Sequence, residues 1–379
     1  MFERMVKMIR DDILILTANF GSGHVCVANA IKEQLKIYDD SLNIDVVDIV
    51  KICNPHLTDE VYKAYEILVK NNRDIYNYFY KMRAKGQGIM DKIIYKMYLS
   101  KIAKCIRNKN PKFIISTFPM CSGFVSMYKE KYKSKIPFIT CITDVVDSCE
   151  WIYPNTDKYM VATQSIKLNL INKGIDSECI EVTGIPVRKN FLVKCNDDIR
   201  KRYNIKNSDF VILIMGGGLG LLPKNDEFYT YLDNLENVKT IVITGKNRER
   251  FNYLTKKLNL KNTIVKGFTD EIDKFMKNAD ILITKPGGVS TFEAIHSEIP
   301  MLVNEPTLAQ ELENANFIER SGVGIVVRNS NEFKNIVKEF IISDRLKKKL
   351  RENIKEVKKQ LNMDMLIDYV ENIKEKSIV

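Results

Sequence analysis

The sequence predicts an α/β protein of two doubly wound, parallel-sheet domains, and three observations carry that expectation. The chain has 379 residues, more than one ordinary domain of roughly 100–150 residues and enough for two of similar size. Short β-branched apolar runs alternate with helical patterns along its length, the rhythm of parallel sheets covered by helices. Glycine-rich turns follow strands at Gly21–Gly23, Gly216–Gly220 and Gly287–Gly288, at the carboxyl ends where doubly wound domains hold ligands. A hydrophobic content of 45% with 28% charged residues excludes extensive disorder.

The elements follow in order. The charged stretch Met1–Asp12 leads straight into Ile13–Ala18, a run too short for a signal-peptide core and best read as a first buried strand. Helical periodicity covers Cys26–Tyr38, and further strands are expected at Ile44–Ile49, Phe113–Thr117, Phe138–Thr143, Tyr159–Ala162 and Glu181–Thr183. The pattern breaks at Gly184-Ile185-Pro186-Val187-Arg188, placing a boundary within 186–205 and the domains at 1–195 and 196–362. Strands resume at Phe210–Met215, Thr240–Thr244, Thr263–Lys266, Ile281–Thr284, Met301–Val303 and Gly324–Val327, with a helix at Ser290–His296. The last segment, 363–379, holds a helix of about Met363–Lys376 that is apolar on one face and is expected to pack back across the junction.

No run approaches the ~20 apolar residues that span a bilayer. Eight cysteines occur without any Cys-x-x-Cys pair, so reduced thiols are expected, and three histidines, none spaced to join a cysteine pair, argue against zinc. The net charge of +11 is uneven: Lys81–Lys112 holds ten Lys/Arg against the single acid Asp91. That concentration points to an anionic partner.

Four segments could carry chemistry. In Ile15–His24 (ILTANFGSGH) the glycines let a ligand approach the backbone at a helix start, although Gly-x-Gly alone is weak. A lone histidine is usually structural, but its place at this mouth and the rarity of histidine in the chain favour His24 as a base for an attacking hydroxyl. In Met215–Gly220, Gly217 and Gly218 belong to a backbone nest for phosphate or sugar, or to a flexible interdomain turn. In Thr284–Ala294 (TKPGGVSTFEA), Gly287 and Gly288 turn the chain, the hydroxyls of Ser290 and Thr291 are expected to cap a helix facing a diphosphate, and Glu293 suits a ribose diol. Downstream, Gln310 and Glu311 offer groups for sugar hydroxyls, or an ordinary polar helix start. In the basic segment Ile89, Ile93 and Met97, with Met90, Ile94 and Tyr98, recur at helical spacing among Lys92, Lys96, Lys101 and Lys104, downstream of Tyr76, Tyr78, Phe79 and Tyr80. A basic amphipathic helix near aromatics suits an anionic membrane surface, and no nucleic-acid motif accompanies it.

These residues, taken in order, resemble the bacterial processive diacylglycerol β-glucosyltransferases, relatives of monogalactosyldiacylglycerol synthases and of the lipid-linked peptidoglycan GlcNAc transferase. The resemblance runs almost end to end: Leu14–Val27, Ser116–Pro119, Thr143-Asp144 with Trp151, Asp157–Thr163, Thr183–Arg188, Gly245–Asn247, Thr284–Ala294 and Glu313–Phe317. It implies a GT-B fold, two Rossmann-like domains facing across a cleft, and inverting transfer from a UDP-sugar without a metal or other cofactor. The absence of Asp-x-Asp agrees on the metal. By the resemblance the C-terminal half binds the donor: Gly288, Ser290, Thr291 and Glu293 contact diphosphate and ribose, Gly267-Phe268 frames the uracil, and Gln310 and Glu311 hold the hexose. The N-terminal half takes the lipid, with His24 as the base or its orienting partner and Asp144 as a second acceptor-side residue. Phe20, Gly21 and Trp151 then belong to the acceptor side, with Phe79, Tyr80, Lys92 and Lys96 at the membrane.

The implied activity is transfer of a hexose, glucose, to diacylglycerol by a peripheral protein on the cytoplasmic side of the cell membrane, with the UDP-sugar, the lipid and an anionic surface as partners. The sequence departs from the family pattern at Ser148, Leu219 and Leu308-Ala309, in the acceptor and donor-sugar regions. Two alternatives stand beside this expectation: a transferase using UDP-galactose or UDP-GlcNAc on another lipid such as a polyprenyl carrier, and a non-catalytic UDP-sugar sensor.

Overall fold

The computed structural model describes residues 12–376 except Lys85, Gln87, Asn196, Gly218 and Leu219; the side chains of Lys70, Ala84, Ile89, Met90, Lys92 and 373–376 are also outside the description. The charged N-terminal residues 1–11 therefore lie outside the described residues. The chain forms two compact units, the first running to Arg188 and resuming at Leu361, the second Lys189–Gln360.

In unit 1, β1 (Ile13–Thr17) is followed by α1 (Ser22–Tyr38) and β2 (Ile44–Asp48). Four helices come next, α2 (Ile49–Cys53), α3 (Thr58–Asn71), α4 (Arg73–Ala84) and α5 (Ile89–Lys109). The chain then continues as β3 (Phe113–Ser116), α6 (Pro119–Tyr132), β4 (Phe138–Cys141), a short 3-10 turn at Cys149–Trp151, β5 (Lys158–Val161), α7 (Gln164–Asn172) and β6 (Ile180–Val182). The six strands are parallel in the order β2-β1-β3-β4-β5-β6. All residues of β1, β3 and β4 are buried, the signature of a sheet covered on both faces, which is why these strands read as unbroken apolar runs. On one face Leu14, Leu16 and Ile114 pack with Ile102 and Ile106 of α5 and Phe124 of α6. The chain places β2 on one side of β1 and then returns to the other side for β3, so the strand order reverses between β1 and β3.

Unit 2 contains α8 (Lys189–Leu192), α9 (Ile199–Arg202), β7 (Phe210–Met215), α10 (Asp226–Asp233), β8 (Val238–Ile243), α11 (Arg248–Lys256), β9 (Thr263–Lys266) and α12 (Ile272–Asn278). It continues with β10 (Ile281–Thr284), α13 (Gly288–His296), β11 (Met301–Asn304), α14 (Ala309–Arg320), β12 (Gly324–Val327), α15 (Ser330–Ile342) and α16 (Asp344–Lys359). Its sheet is parallel in the order β12-β11-β10-β7-β8-β9, and here the order reverses between β7 and β10.

The last helix, α17 (Met365–Lys376), belongs to unit 1. The Asn362 N–H donates to the Val182 carbonyl at 2.8 Å, Tyr38 donates to Glu371 at 2.7 Å, and the Tyr369 and Phe113 rings meet edge to face. Met365, Leu366 and Val370 form its buried stripe. Among the described residues, no helix is long and apolar enough to cross a membrane.

Candidate active site

In a doubly wound sheet the loops diverge at the strand-order reversal and leave a crevice at the carboxyl ends. His24 stands at that point in unit 1. Gly21 caps α1 with φ 78°, a left-handed conformation that glycine adopts without strain, and no side chain caps the helix. The preceding turn is held by Tyr62, whose hydroxyl accepts from the Asn19 N–H (2.9 Å) and donates to the Asp48 carboxylate (2.7 Å). Phe20 lies edge-on to Tyr62 and Tyr65 and stacks on Phe118.

Two loops fix the imidazole itself. Nδ1 lies 2.8 Å from the Thr143 hydroxyl, and the His24 carbonyl accepts from the Thr117 hydroxyl at 3.1 Å. Phe118 packs edge-on at 5.0 Å between ring centroids, and Trp151 lies 6.2 Å away. The ring is partly exposed by surface area, yet these neighbours strip most of its water. Burial pushes its pKa down to about 4, weakly opposed by a backbone hydrogen bond at Thr117. The imidazole is therefore neutral at pH 7.

Asp144, next to Thr143, is half-buried, and its charge acts on Tyr76 and Glu150. Glu150 is the residue that motif reading missed. It lies in the turn before Trp151, its N–H donates to Ser148 Oγ, and burial pushes its carboxyl up to about 7. Arg83 opposes that shift, while Asp144 and Asp91 reinforce it; Arg83 itself is paired with Asp91 at 2.9 Å. Only the folded chain brings these groups together, and no local pattern marks Glu150. Trp151 is 2% exposed, so it walls the histidine pocket and offers no surface to a membrane.

The basic segment divides into engaged and exposed charges. Lys101 donates to the Cys53 carbonyl at 2.6 Å, Arg107 lies over the Tyr132 ring, and Lys109 and Lys112 pair with Asp45 and Asp12. Lys81, Lys96 and Lys104 project without a described partner, while Lys85 and the Lys92 side chain lie outside the described residues. The excess charge presented to solvent is thus smaller than the sequence count suggests. Ile94 and Tyr98 pack on the core, whereas Ile93 and Met97 of α5 and Ile75, Tyr78, Phe79 and Met82 of α4 are exposed. Tyr80 stacks on Tyr76.

In unit 2 the loops after β7 and β10 are neighbours because the two strands pair in register, Ile212 with Ile281 through Ile214 with Ile283. The first loop is a tight glycine turn: Leu221 N–H donates to the Gly216 carbonyl, and Gly217 and Gly220 have φ 67° and 61°. A Cβ on Gly220 would stand 2.2 Å from the Thr244 carbonyl oxygen. Gly218 lies outside the described residues. The second loop leads into α13, whose N-cap is Gly287 with no side-chain cap. The expected hydroxyl cap is therefore corrected: Ser290 and Thr291 lie inside the first helical turn, and Thr291, buried, donates back to the Gly287 carbonyl at 2.9 Å. The open amides at the start of α13 remain an anion-binding feature.

Glu293 is buried and Ser290 half-buried. Gly267 has open space where a Cβ would be, and Phe268 is 62% exposed. α14 is held to the second loop by Asn314, which donates to the Pro286 carbonyl (3.1 Å), and to α13 by stacking of Phe317 on Phe292. Gln310, half-buried, and Glu311 stand in the first turn of α14, and Glu311 reaches the loop. Glu311 is buried and its carboxylate pairs with Lys285 at 2.6 Å. Nothing in the local motif distinguishes Lys285, whose partner is 26 residues away.

A family profile described as monogalactosyldiacylglycerol (MGDG) synthase matches residues 24–187, and one described as glycosyl transferases group 1 matches residues 196–357. The processive diacylglycerol β-glucosyltransferase of Bacillus subtilis is 30% identical over 352 residues, 91% of each chain. That of Bacillus licheniformis is 29% identical over 351 residues, 91% of this chain and 90% of its own. Among solved structures, Anabaena HepE in complex with UDP-glucose superposes with a TM-score of 0.56 at 13% identity over 96% of this chain and 99% of its own. Staphylococcus aureus MnaA with UDP gives 0.60 at 16% over 96% and 97%, and Acinetobacter baumannii MurG 0.60 at 12% over 96% and 99%. The structural likenesses show the fold, GT-B with two Rossmann-like domains. By its match to the Bacillus enzymes over nine-tenths of both chains, this protein belongs to the processive diacylglycerol β-glucosyltransferase and monogalactosyldiacylglycerol synthase family.

Proposed function

We propose that the protein transfers glucose from UDP-glucose to the hydroxyl of diacylglycerol, with inversion, as a peripheral enzyme on the cytoplasmic side of the cell membrane. The observation that carries this reading is a neutral imidazole fixed at the reversal point of one sheet, in a chain whose other sheet has an uncapped helix N-terminus at its own reversal point. The base role requires the tautomer in which Nδ1–H donates to Thr143 and Nε2 accepts. In the transfer the acceptor oxygen bonds to the anomeric carbon as its proton passes to His24. The bond from that carbon to the β-phosphate oxygen breaks, and its electron pair stays on the phosphate. One backside displacement inverts the anomeric centre, through an oxocarbenium-like transition state. Charge growing on the leaving UDP meets the amides of α13, so no metal is required.

The acceptor sugar-lipid chemistry is taken from the named relatives, which are diacylglycerol β-glucosyltransferases. Supporting a membrane surface are exposed apolar side chains on α4 and α5 beside Lys81, Lys96 and Lys104, the composition of an interfacial helix pair. The test is incubation of purified protein with radiolabelled UDP-glucose, UDP-galactose or UDP-GlcNAc over diacylglycerol vesicles, with and without EDTA. Glucolipid formed equally in both is expected. Label from UDP-galactose or UDP-GlcNAc alone would reassign the sugar, and no labelled glycolipid from any donor would remove the proposal.

A further inference from the structure

Lys285 follows β10 directly, at the strand-order reversal of unit 2. Its side chain runs beside Gly217, where an added Cβ would come within 3.1 Å of the lysine Cε. The glycine thus leaves a lane for the lysine across the mouth of the β7 loop. Three residues on, α13 begins with open amides and no acidic residue in its first turn. The lysine side chain is 32% exposed, but the carboxylate it pairs with, Glu311, is nearly enclosed. A structural tie between this loop and α14 already exists in the bond from Asn314 to the Pro286 carbonyl. The ion pair is thus a second link between the loop and α14 rather than their sole fastening among the described residues.

We propose that Lys285 is the counter-charge of the donor diphosphate, held on Glu311 until the donor binds. The inference rests on the donor reading given above. A diphosphate seated on the amides of α13 adds negative charge in a partly dehydrated crevice, where a charge-assisted bond from an ammonium is strong. As the ammonium turns to the β-phosphate it releases the Glu311 carboxylate, which then accepts from hexose hydroxyls. When the glycosidic carbon–oxygen bond breaks, the electron pair left on the β-phosphate oxygen is stabilised by the same ammonium, with no change in the lysine's protonation. One exchange of partners thus serves the diphosphate and exposes the sugar ligand together.

Calorimetric titration with UDP and with uridine tests this. Replacing Lys285 alone strands a buried carboxylate, so the key comparison is Glu311→Gln against the double variant Lys285→Met with Glu311→Gln, with folding checked by circular dichroism. Glu311→Gln is expected to bind UDP as tightly as the unaltered protein or several-fold more tightly, since the lysine no longer has to leave a partner. The double variant should bind UDP roughly 10–100-fold more weakly than Glu311→Gln, the loss of one charged hydrogen bond. Lys285→Arg should retain affinity within a few-fold, and uridine affinity should be the same throughout. Equal UDP affinity in Glu311→Gln and the double variant, or a parallel loss for uridine, would overturn the proposal while leaving the donor reading intact. Failure of the unaltered protein to bind UDP would overturn both.

Discussion

Lowering the pH of the transfer reaction interrogates His24 directly. An imidazole at its ordinary pKa of 6.5 is about 90% protonated at pH 5.5, so kcat/KM would fall roughly tenfold from its value at pH 7.5. Burial holds His24 at about 4, which leaves it about 97% neutral at pH 5.5 and costs almost no activity. The assay is kcat/KM for UDP-glucose from pH 5.5 to 8, because that ratio reports the free enzyme. Folding must be followed in parallel. His24 and His296 both have depressed folded-state values near 4, so the unfolded chain binds more protons between pH 4 and 6.5 and stability rises with pH across that window. At pH 5.5 each group removes roughly 1 kcal/mol relative to neutral pH. Glu150, raised to about 7, could add its own inflection, and Glu150→Gln separates the two. A flat acid side in Glu150→Gln is expected, together with a ~10²–10⁴-fold loss of kcat in His24→Ala. An inflection near 6.5 that persists in Glu150→Gln while circular dichroism shows intact protein would refute the account of a dehydrated, neutral base.

Glu150→Gln should also change stability in a pH-dependent way. The folded carboxyl takes up protons more readily than the unfolded one, so the wild-type group costs stability as pH rises from 4.5 through 7. The variant should be more stable by ~1–3 kcal/mol at pH 8 and no more stable at pH 4, read from urea unfolding; equal shifts at both pH values would contradict the burial argument. Replacing Lys81, Lys96 and Lys104 by Gln should weaken co-sedimentation with phosphatidylserine vesicles by roughly 100-fold at low salt, taking ~1 kcal/mol per charge, without altering UDP affinity. Unchanged sedimentation would remove the docking role of α4 and α5.

Much of the fold was legible because buried parallel strands need continuous apolar runs. Phe210–Met215, Thr263–Lys266, Ile281–Thr284 and Gly324–Val327 carry the same bounds in sequence and structure, and the remaining strands moved at their ends by one or two residues. Strand ends shift because the last residue or two leave the ladder for loop contacts, as Thr117 and Thr143 do in bonding around His24. The helix start at Gly287 was legible as a turn and misread in its capping, since a hydroxyl in the first helical turn can bond backward to a carbonyl.

By itself the sequence determined two α/β units, their glycine turns and the prominence of His24, because periodicity and glycine placement are local properties of the chain. Tertiary structure alone decided which polar groups meet. It put Glu150 beside Asp144 and Arg83, tied Lys285 to Glu311, and neutralised Lys109 and Lys112 with acids from distant strands and turns. Charge state and hydrogen bonding depend on lost water and on neighbours remote in sequence, and neither exists until the chain has folded.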